Sequence, residues 1–264
     1  MKADVELISI GTELLSGRTL NSHAQTLGSA LSKIGLRLSR DTTIPDGIET
    51  IQSAVREALD RTDLVIVSGG LGPTSDDITR DALAGLFDRK IIISSEALEQ
   101  MKSRYAARGY PFTPSAERQA FILEGAETLL NSVGAAPGER LEFPDLGKTL
   151  FIVPGPPNEF AAVLDDHISP WLQKTFPESA PDDVRVLTTQ GIGESAIVHR
   201  LEEAGFQSLP ALRSSKSEEG EISIGFYPGE GRVEIRLSAP KQKSAALDEA
   251  EAALRELLHD GLID

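Results

Sequence analysis

The chain has 264 residues, 40% hydrophobic and 25% charged, an ordinary globular balance far from that of a disordered segment. At about 150 residues per domain this length predicts two domains, and 26 Lys and Arg against 41 Asp and Glu leave a net charge of −15, which disfavours nucleic-acid and anionic membrane partners. Without cysteine there is no disulfide framework, thiolate catalysis or zinc finger, and with no signal-peptide core or ~20-residue apolar run the expected location is the cytoplasm.

The first half alternates strands and helices. Residues 5–10 read as a strand ending at Gly11, then a polar loop over 12–19, then a helix with Leu20, Leu27, Leu31 and Ile34 on one face. A second strand over 36–44 is broken by Pro45-Asp46-Gly47, and Ile48, Ile51, Val55 and Leu59 recur at helical spacing. Leu64-Val65-Ile66-Val67 is a short apolar run of the kind covered on both faces in a parallel sheet. A helix is expected over 76–87. These strand-loop-helix units predict a doubly wound, mostly parallel α/β sheet.

After Lys90 the rhythm loosens. A short strand is expected at 91–93, helices over 97–108 and 117–123, an extended segment at 127–130, a buried strand at 149–153 and a helix over 158–173. Between the first two of these helices, 109–114 reads as a surface excursion. Residues 173–183, with two prolines and several acids, form the predicted linker. Beyond it come a strand (184–189), a helix (194–204), a hairpin (221–227 and 232–237) and a final helix (244–258), a small α+β domain over 184–264.

Ligands of an open α/β sheet sit at the carboxyl ends of its strands, which is where the chemistry-bearing residues fall. The loop Gly69-Gly70-Leu71-Gly72-Pro73-Thr74-Ser75-Asp76-Asp77 follows a buried strand and precedes a helix. Glycines let backbone amides approach an anion, and a helix N-terminus adds partial positive charge. Asp76 and Asp77 beside a phosphate would repel it unless a divalent cation lies between; the competing reading is a capped helix and a tight turn. Glu13 with Asn21 after the first strand, and Asp46 after the second, are candidates at the same edge, against solvated-loop and turn-forming alternatives. In a third loop Gly155 can admit a ligand to the backbone, while Glu159 is either catalytic or a helix-dipole partner. The glycine-rich stretch 131–138, including Gly134, is a cover for the cleft or an ordinary surface loop. Arg80 suits phosphate contact or an i,i+3 ion pair with Asp77. No nucleophile elbow, Walker lysine, His-Glu-x-x-His pair or Nudix-like box occurs.

Taken together, Gly11-Thr12-Glu13-Leu14-Leu15, Asn21, Gly69-Gly70-Leu71-Gly72-Pro73-Thr74 with Asp76-Asp77, Ser132-Val133-Gly134 with Ala136-Pro137-Gly138, and Pro154-Gly155-x-Pro157-x-Glu159 resemble the amino-terminal domain of the competence/damage-inducible protein CinA family. That domain is of the molybdopterin-binding, MoaB/Mog-like type, and the resemblance runs over 1–172. Residues 184–264, with Gly191-Ile192-Gly193-Glu194-Ser195, resemble the KH-like domain that follows it. Many family members continue into a nicotinamide-mononucleotide deamidase domain, which these residues are not expected to supply. Ala135 stands for a usual Thr, Ser75 for a common Lys, and Ser115-Ala116-Glu117 for an Asn-rich segment.

The resemblance implies a homodimer that binds a small nucleotide or pterin. It also implies a divalent-metal-dependent pyrophosphatase (Mg, Mn or Co) splitting ADP-ribose or a similar compound into AMP and a second phosphate. On this reading Glu13, Asp46, Asp76 and Asp77 hold the metal, with Asp77, Asp76 and Glu13 catalytic. Gly69, Gly70, Gly72, Thr74, Asn21, Asp46, Gly134, Gly155 and Glu159 bind substrate. The alternative is a non-catalytic molybdopterin- or nucleotide-binding scaffold.

Overall fold

A computed structural model of the chain describes residues 4–205 and 222–263, which divide into two units, Met1–Ser179 and Ala180–Asp264. The larger begins with β1 (Asp4–Ile10), the short helix α1 (Thr12–Leu15), α2 (His23–Lys33), β2 (Arg37–Ile44), α3 (Ile48–Arg61), β3 (Leu64–Ser68) and α4 (Thr79–Phe87). A side excursion follows: β4 (Ile91–Ile93), α5 (Ser95–Ala107), α6 (Pro114–Glu117) and β5 (Phe121–Leu123), with β4 and β5 paired antiparallel. The chain returns through β6 (Glu127–Leu129), β7 (Gly138–Phe143) and β8 (Lys148–Val153) to α7 (Pro157–Val163) and α8 (Ser169–Thr175), joined by a π-helical turn over Leu164–Ile168.

One six-stranded sheet, ordered β2-β1-β3-β8-β7-β6, carries the unit. Its first four strands are parallel, and β7 and β6 add on antiparallel. Alternation along the strands sends side chains to opposite faces. Ile8, Ile10, Val65 and Val67 pack on one side with Val55, Leu59 and Leu83 of α3 and α4. Leu7, Ile66 and Phe151 pack on the other with Leu27 and Leu31 of α2 and Phe160 of α7. Phe151 and Phe160 are almost wholly buried, each contributing about 1.5–3 kcal/mol by the usual transfer scale. Helices thus cover both faces, and every loop leaving the carboxyl end of a parallel strand opens on the same edge.

Several local expectations change. Helix α2 starts at His23, leaving Leu20 outside it and 85% exposed; the Asn21 side chain accepts the His23 amide at 3.1 Å and starts the helix there. Within the expected polar loop, α1 forms one turn. The expected helix over 117–123 is an α turn, a 3₁₀ turn (Arg118–Ala120) and strand β5. Pairing with Ile91–Ile93 and the Ser94 amide to Ala120 carbonyl bond at 2.9 Å give that backbone partners a helix would forfeit. Strand β7 was not anticipated.

The smaller unit contains β9 (Asp183–Gln190), α9 (Glu194–Glu203), β10 (Ser223–Gly229), β11 (Arg232–Ala239) and α10 (Ser244–Leu257). Its antiparallel sheet, ordered β10-β11-β9, has a core of its own that includes Leu187, Ile197, Ile235, Leu237, Leu247 and Leu254. The start of the expected hairpin strand at residue 221 lies outside the described residues. Among the described residues no helix is long and apolar enough to cross a membrane.

Candidate functional site

The loops after β1, β2, β3 and β8 enclose a cavity of about 520 Å³, at the sheet edge where the switch from strand to helix leaves room for a ligand. Its floor is two backbones in close approach. The Gly69 amide donates to the Val153 carbonyl at 3.1 Å, the Ser68 hydroxyl to the Pro154 carbonyl at 3.0 Å, and a Cβ on Gly155 would lie 3.2 Å from Gly69 Cα. Gly69 has φ 108° and Gly70 φ 67°, a region that L side chains rarely adopt. A Cβ on Gly69 would also overlap the Ile10 carbonyl oxygen, and one on Gly70 the Thr79 hydroxyl. Buried Thr79 opens α4 and donates to the Gly69 carbonyl at 2.8 Å, closing the loop onto the helix.

Acidic side chains come to this cavity in pairs. Asp46 Oδ2 accepts both the amide and the hydroxyl of Thr12, the residue before Glu13, at 2.9 Å. In the loop after β3, Asp77 Oδ2 accepts the Thr74 amide at 2.8 Å and the Thr74 hydroxyl at 2.6 Å, and Asp76 shares that hydroxyl. The Thr74 hydroxyl holds the Asp76 carboxyl below the usual carboxylate range. Glu13, Asp46, Asp76, Asp77 and Glu159 all line the cavity, whereas no Lys or Arg among the described residues does. No three Asp, Glu or His side chains among the described residues converge into a ligand cage, so the four carboxylates expected from the resemblance line one cavity as Glu13 and Asp46 from the loops after β1 and β2 and Asp76 and Asp77 from the loop after β3, and not as one preformed set. Such pairs suit a hard cation that keeps waters and takes the rest of its ligands from a substrate's phosphates, the usual habit of Mg²⁺.

Glu159 is set differently. Fully buried Asn131 accepts the amides of Val133 and Gly134 on Oδ1 at 3.0 and 2.8 Å. Its Nδ2 donates to the Ala136 carbonyl at 3.0 Å and to Glu159 Oε2 at 2.7 Å. The Glu159 carboxylate lies where a side chain on Gly134 would sit, and Arg104 bonds the Gly134 carbonyl from α5. Burial pushes the Glu159 carboxyl up, against the smaller opposing influence of Asn131 and Arg104.

Of the expected binding residues, Gly69, Gly70, Gly72, Asn21, Asp46, Gly155 and Glu159 line the cavity. Thr74 and Gly134 act behind it, on the carboxylates of Asp76, Asp77 and Glu159. Arg80 makes neither expected contact. It is buried, pairs with Glu139 at 2.7 Å and donates to the Leu71 carbonyl at 3.2 Å, a strut beneath the glycine loop. His23 is buried in the cavity wall with its ring stacked on Phe160 at 4.3 Å and 13°. Burial holds it below its ordinary pKa, and its Nδ1 has no hydrogen-bond partner among the described residues. Asn131 was overlooked in the sequence. Its one signal is an Asn two residues before Val133-Gly134, the pattern of a side chain bonding the backbone ahead of it.

Residues 6–174 match the family described as "Probable molybdopterin binding domain", and 184–262 match "Damage-inducible protein CinA KH domain". Over 96% of its length the chain is 38% identical to a CinA-like protein of Gemmatimonas aurantiaca, covering 58% of that protein. It is 37% identical over its full length to a CinA-like protein of Salinibacter ruber, covering 61%. The chain therefore spans about three-fifths of the curated relatives it matches. Among solved structures, the protein CinA with unknown function from Thermoplasma acidophilum superimposes with a TM-score of 0.57 at 34% identity, over 66% of this chain and 98% of that one.

Proposed function

Given that the chain belongs to the CinA-like family, with a probable molybdopterin-binding domain followed by a CinA KH domain, we propose that its larger unit binds and hydrolyses a nucleoside diphosphate ester such as ADP-ribose, with a divalent cation (Mg, Mn or Co), releasing AMP and a second monophosphate. The observation that carries this reading is a tight glycine loop facing two carboxylate pairs in a cavity that no Lys or Arg lines among the described residues. A diphosphate entering alone would meet net repulsion; one that brings a cation would not. Backbone amides of the glycine loop take phosphate oxygens at the sheet edge. Asp76 with Asp77, or Glu13 with Asp46, would hold the cation, while Asn21 and Gly155 bound the space for the rest of the ligand. A bound divalent ion neutralises the diphosphate and lowers the pKa of a coordinated water.

The test is AMP release from ADP-ribose, FAD, NAD and CoA by the whole chain, with and without Mg²⁺, Mn²⁺ or Co²⁺. Metal-dependent AMP is expected, and Asp77→Asn should reduce it about a hundredfold or more without unfolding the protein. Wild-type rates in that variant would sink the assignment. Tight binding with no product under any metal would make this a binding protein instead.

A further inference from the structure

We infer that Glu159 is the base that takes the proton from the attacking water, and that Asn131 is its positioning residue; this rests on the hydrolytic reading above. An acid in the first turn of α7 ordinarily needs no explanation beyond the helix dipole. Here the side chain instead reaches Asn131 at 2.7 Å through Oε2. Asn131 is itself fully committed, taking two loop amides and giving one bond to the Ala136 carbonyl. Both ends of its amide are thereby fixed in orientation, and so is the carboxylate it holds. The absent side chain of Gly134 gives that carboxylate its place. With Oε2 on Asn131, Oε1 is the oxygen for a water in the cavity that Glu159 lines.

The other carboxylates are held for a different task. Asp46 and Asp77 each accept a threonine hydroxyl and amide, and Asp76 shares the Thr74 hydroxyl, so these carboxylates are fixed by their own loops and not by Asn131. Glu159 has a single amide donor and is half-buried. The separate hydrogen-bond setting, one carboxylate on a buried amide and the others on threonines, distinguishes the base from the cation ligands. The charged and titratable groups around Glu159 are Arg104 of α5, His23 of α2 and the cavity's Glu13, Asp46, Asp76 and Asp77. In the step, the water oxygen forms a bond to one phosphorus and its proton passes to Glu159 Oε1. The bond from that phosphorus to the bridging oxygen breaks, and the electron pair leaves on the second phosphate. Glu159 then returns the proton to solvent.

The experiment follows AMP release from ADP-ribose by the whole chain between pH 5 and 9. Glu159→Gln should lower kcat about 10²–10⁴-fold, leave KM within about threefold, and abolish the acidic limb of the pH–kcat profile. Glu159→Asp should keep that limb at a reduced rate. Asn131→Ser, which removes a bond to the charged form, should move the limb to higher pH, and carbon-13 NMR of the Glu159 carboxyl in the unliganded protein should titrate upward in parallel. Wild-type kcat or an unchanged acidic limb in Glu159→Gln would overturn the inference while the pyrophosphatase reading stands. A wild-type protein that releases no AMP would overturn that reading first.

Discussion

Glu139→Ala should destabilise the larger unit severely, because it strands a buried charge. Glu139 has no exposed surface; its Oε1 accepts Arg80 Nε at 2.7 Å and its Oε2 accepts the Leu123 amide at 2.8 Å. Truncation leaves the guanidinium with only the Leu71 and Pro137 carbonyls, at 3.2 and 3.5 Å, and leaves the β5 amide without an acceptor. An unpaired buried charge costs about 3–5 kcal/mol and an orphaned amide about 1–3. With water entering the vacated space, the low end of that sum, about 4 kcal/mol, is expected, out of a total stability of about 5–15. Removing both charges in Arg80→Met/Glu139→Leu should restore the unit to within about 2 kcal/mol of wild type, since replacing a buried pair by apolar groups is often close to neutral. Urea unfolding followed by fluorescence reads this unit selectively. The chain has one tryptophan, Trp171, packed edge-on against Phe151 at 5.3 Å in the larger unit's core. A single variant costing less than about 1 kcal/mol, or a double variant no more stable than the single, would refute the reasoning.

Two further outcomes follow from the same site. Gly69→Ala forces a side chain into φ 108° and against the Ile10 carbonyl; a loss of at least about 2 kcal/mol in urea unfolding is expected, and near-native stability would contradict the loop geometry. His23 is held below its ordinary pKa by burial, so the unfolded chain binds its proton more readily than the fold does. That contribution is fully present above about pH 6.5 and declines as pH falls toward the folded-state value, by up to about 1.4 kcal/mol per pH unit. Unfolding free energies at pH 5 and 7.5 should differ less in His23→Phe than in wild type, and equal differences would contradict the burial argument.

The parts of the fold readable from sequence are those dictated by local chemistry. Leu64-Val65-Ile66-Val67, preceded by Thr62-Asp63 and followed by Ser68-Gly69-Gly70, has no polar side to present to water and became the fully buried β3. The loops at strand ends were likewise visible, because glycine and proline punctuate them. What escaped was decided by distant partners. Gly138–Phe143 carries Glu139 and Arg140, a poor strand signature until Arg80, fifty-nine positions away, pairs with Glu139. Phe121-Ile122-Leu123 fits a helix pattern locally, but Ile91–Ile93 pairs with it as a strand. Arg80 stood close enough to Asp77 to suggest an ion pair, yet its helix turns it beneath the sheet edge. Asn131 carries no charge, and its four bonds exist only once the loop and α7 are assembled.

Because the cavity takes its wall from chain as far apart as Gly11 and Glu159, and from the ends of four adjacent parallel strands, no fragment of the larger unit can carry it. Whatever occupies it must bind the native state and not the unfolded chain, and so must raise the melting temperature of the whole unit. A ligand at a hundred times its Kd would add about 2.7 kcal/mol. Heat resistance is therefore a reporter of occupancy that needs no turnover, and a panel of diphosphates and pterins, each with and without cation, can be ranked by Trp171 fluorescence on warming before any reaction is assayed.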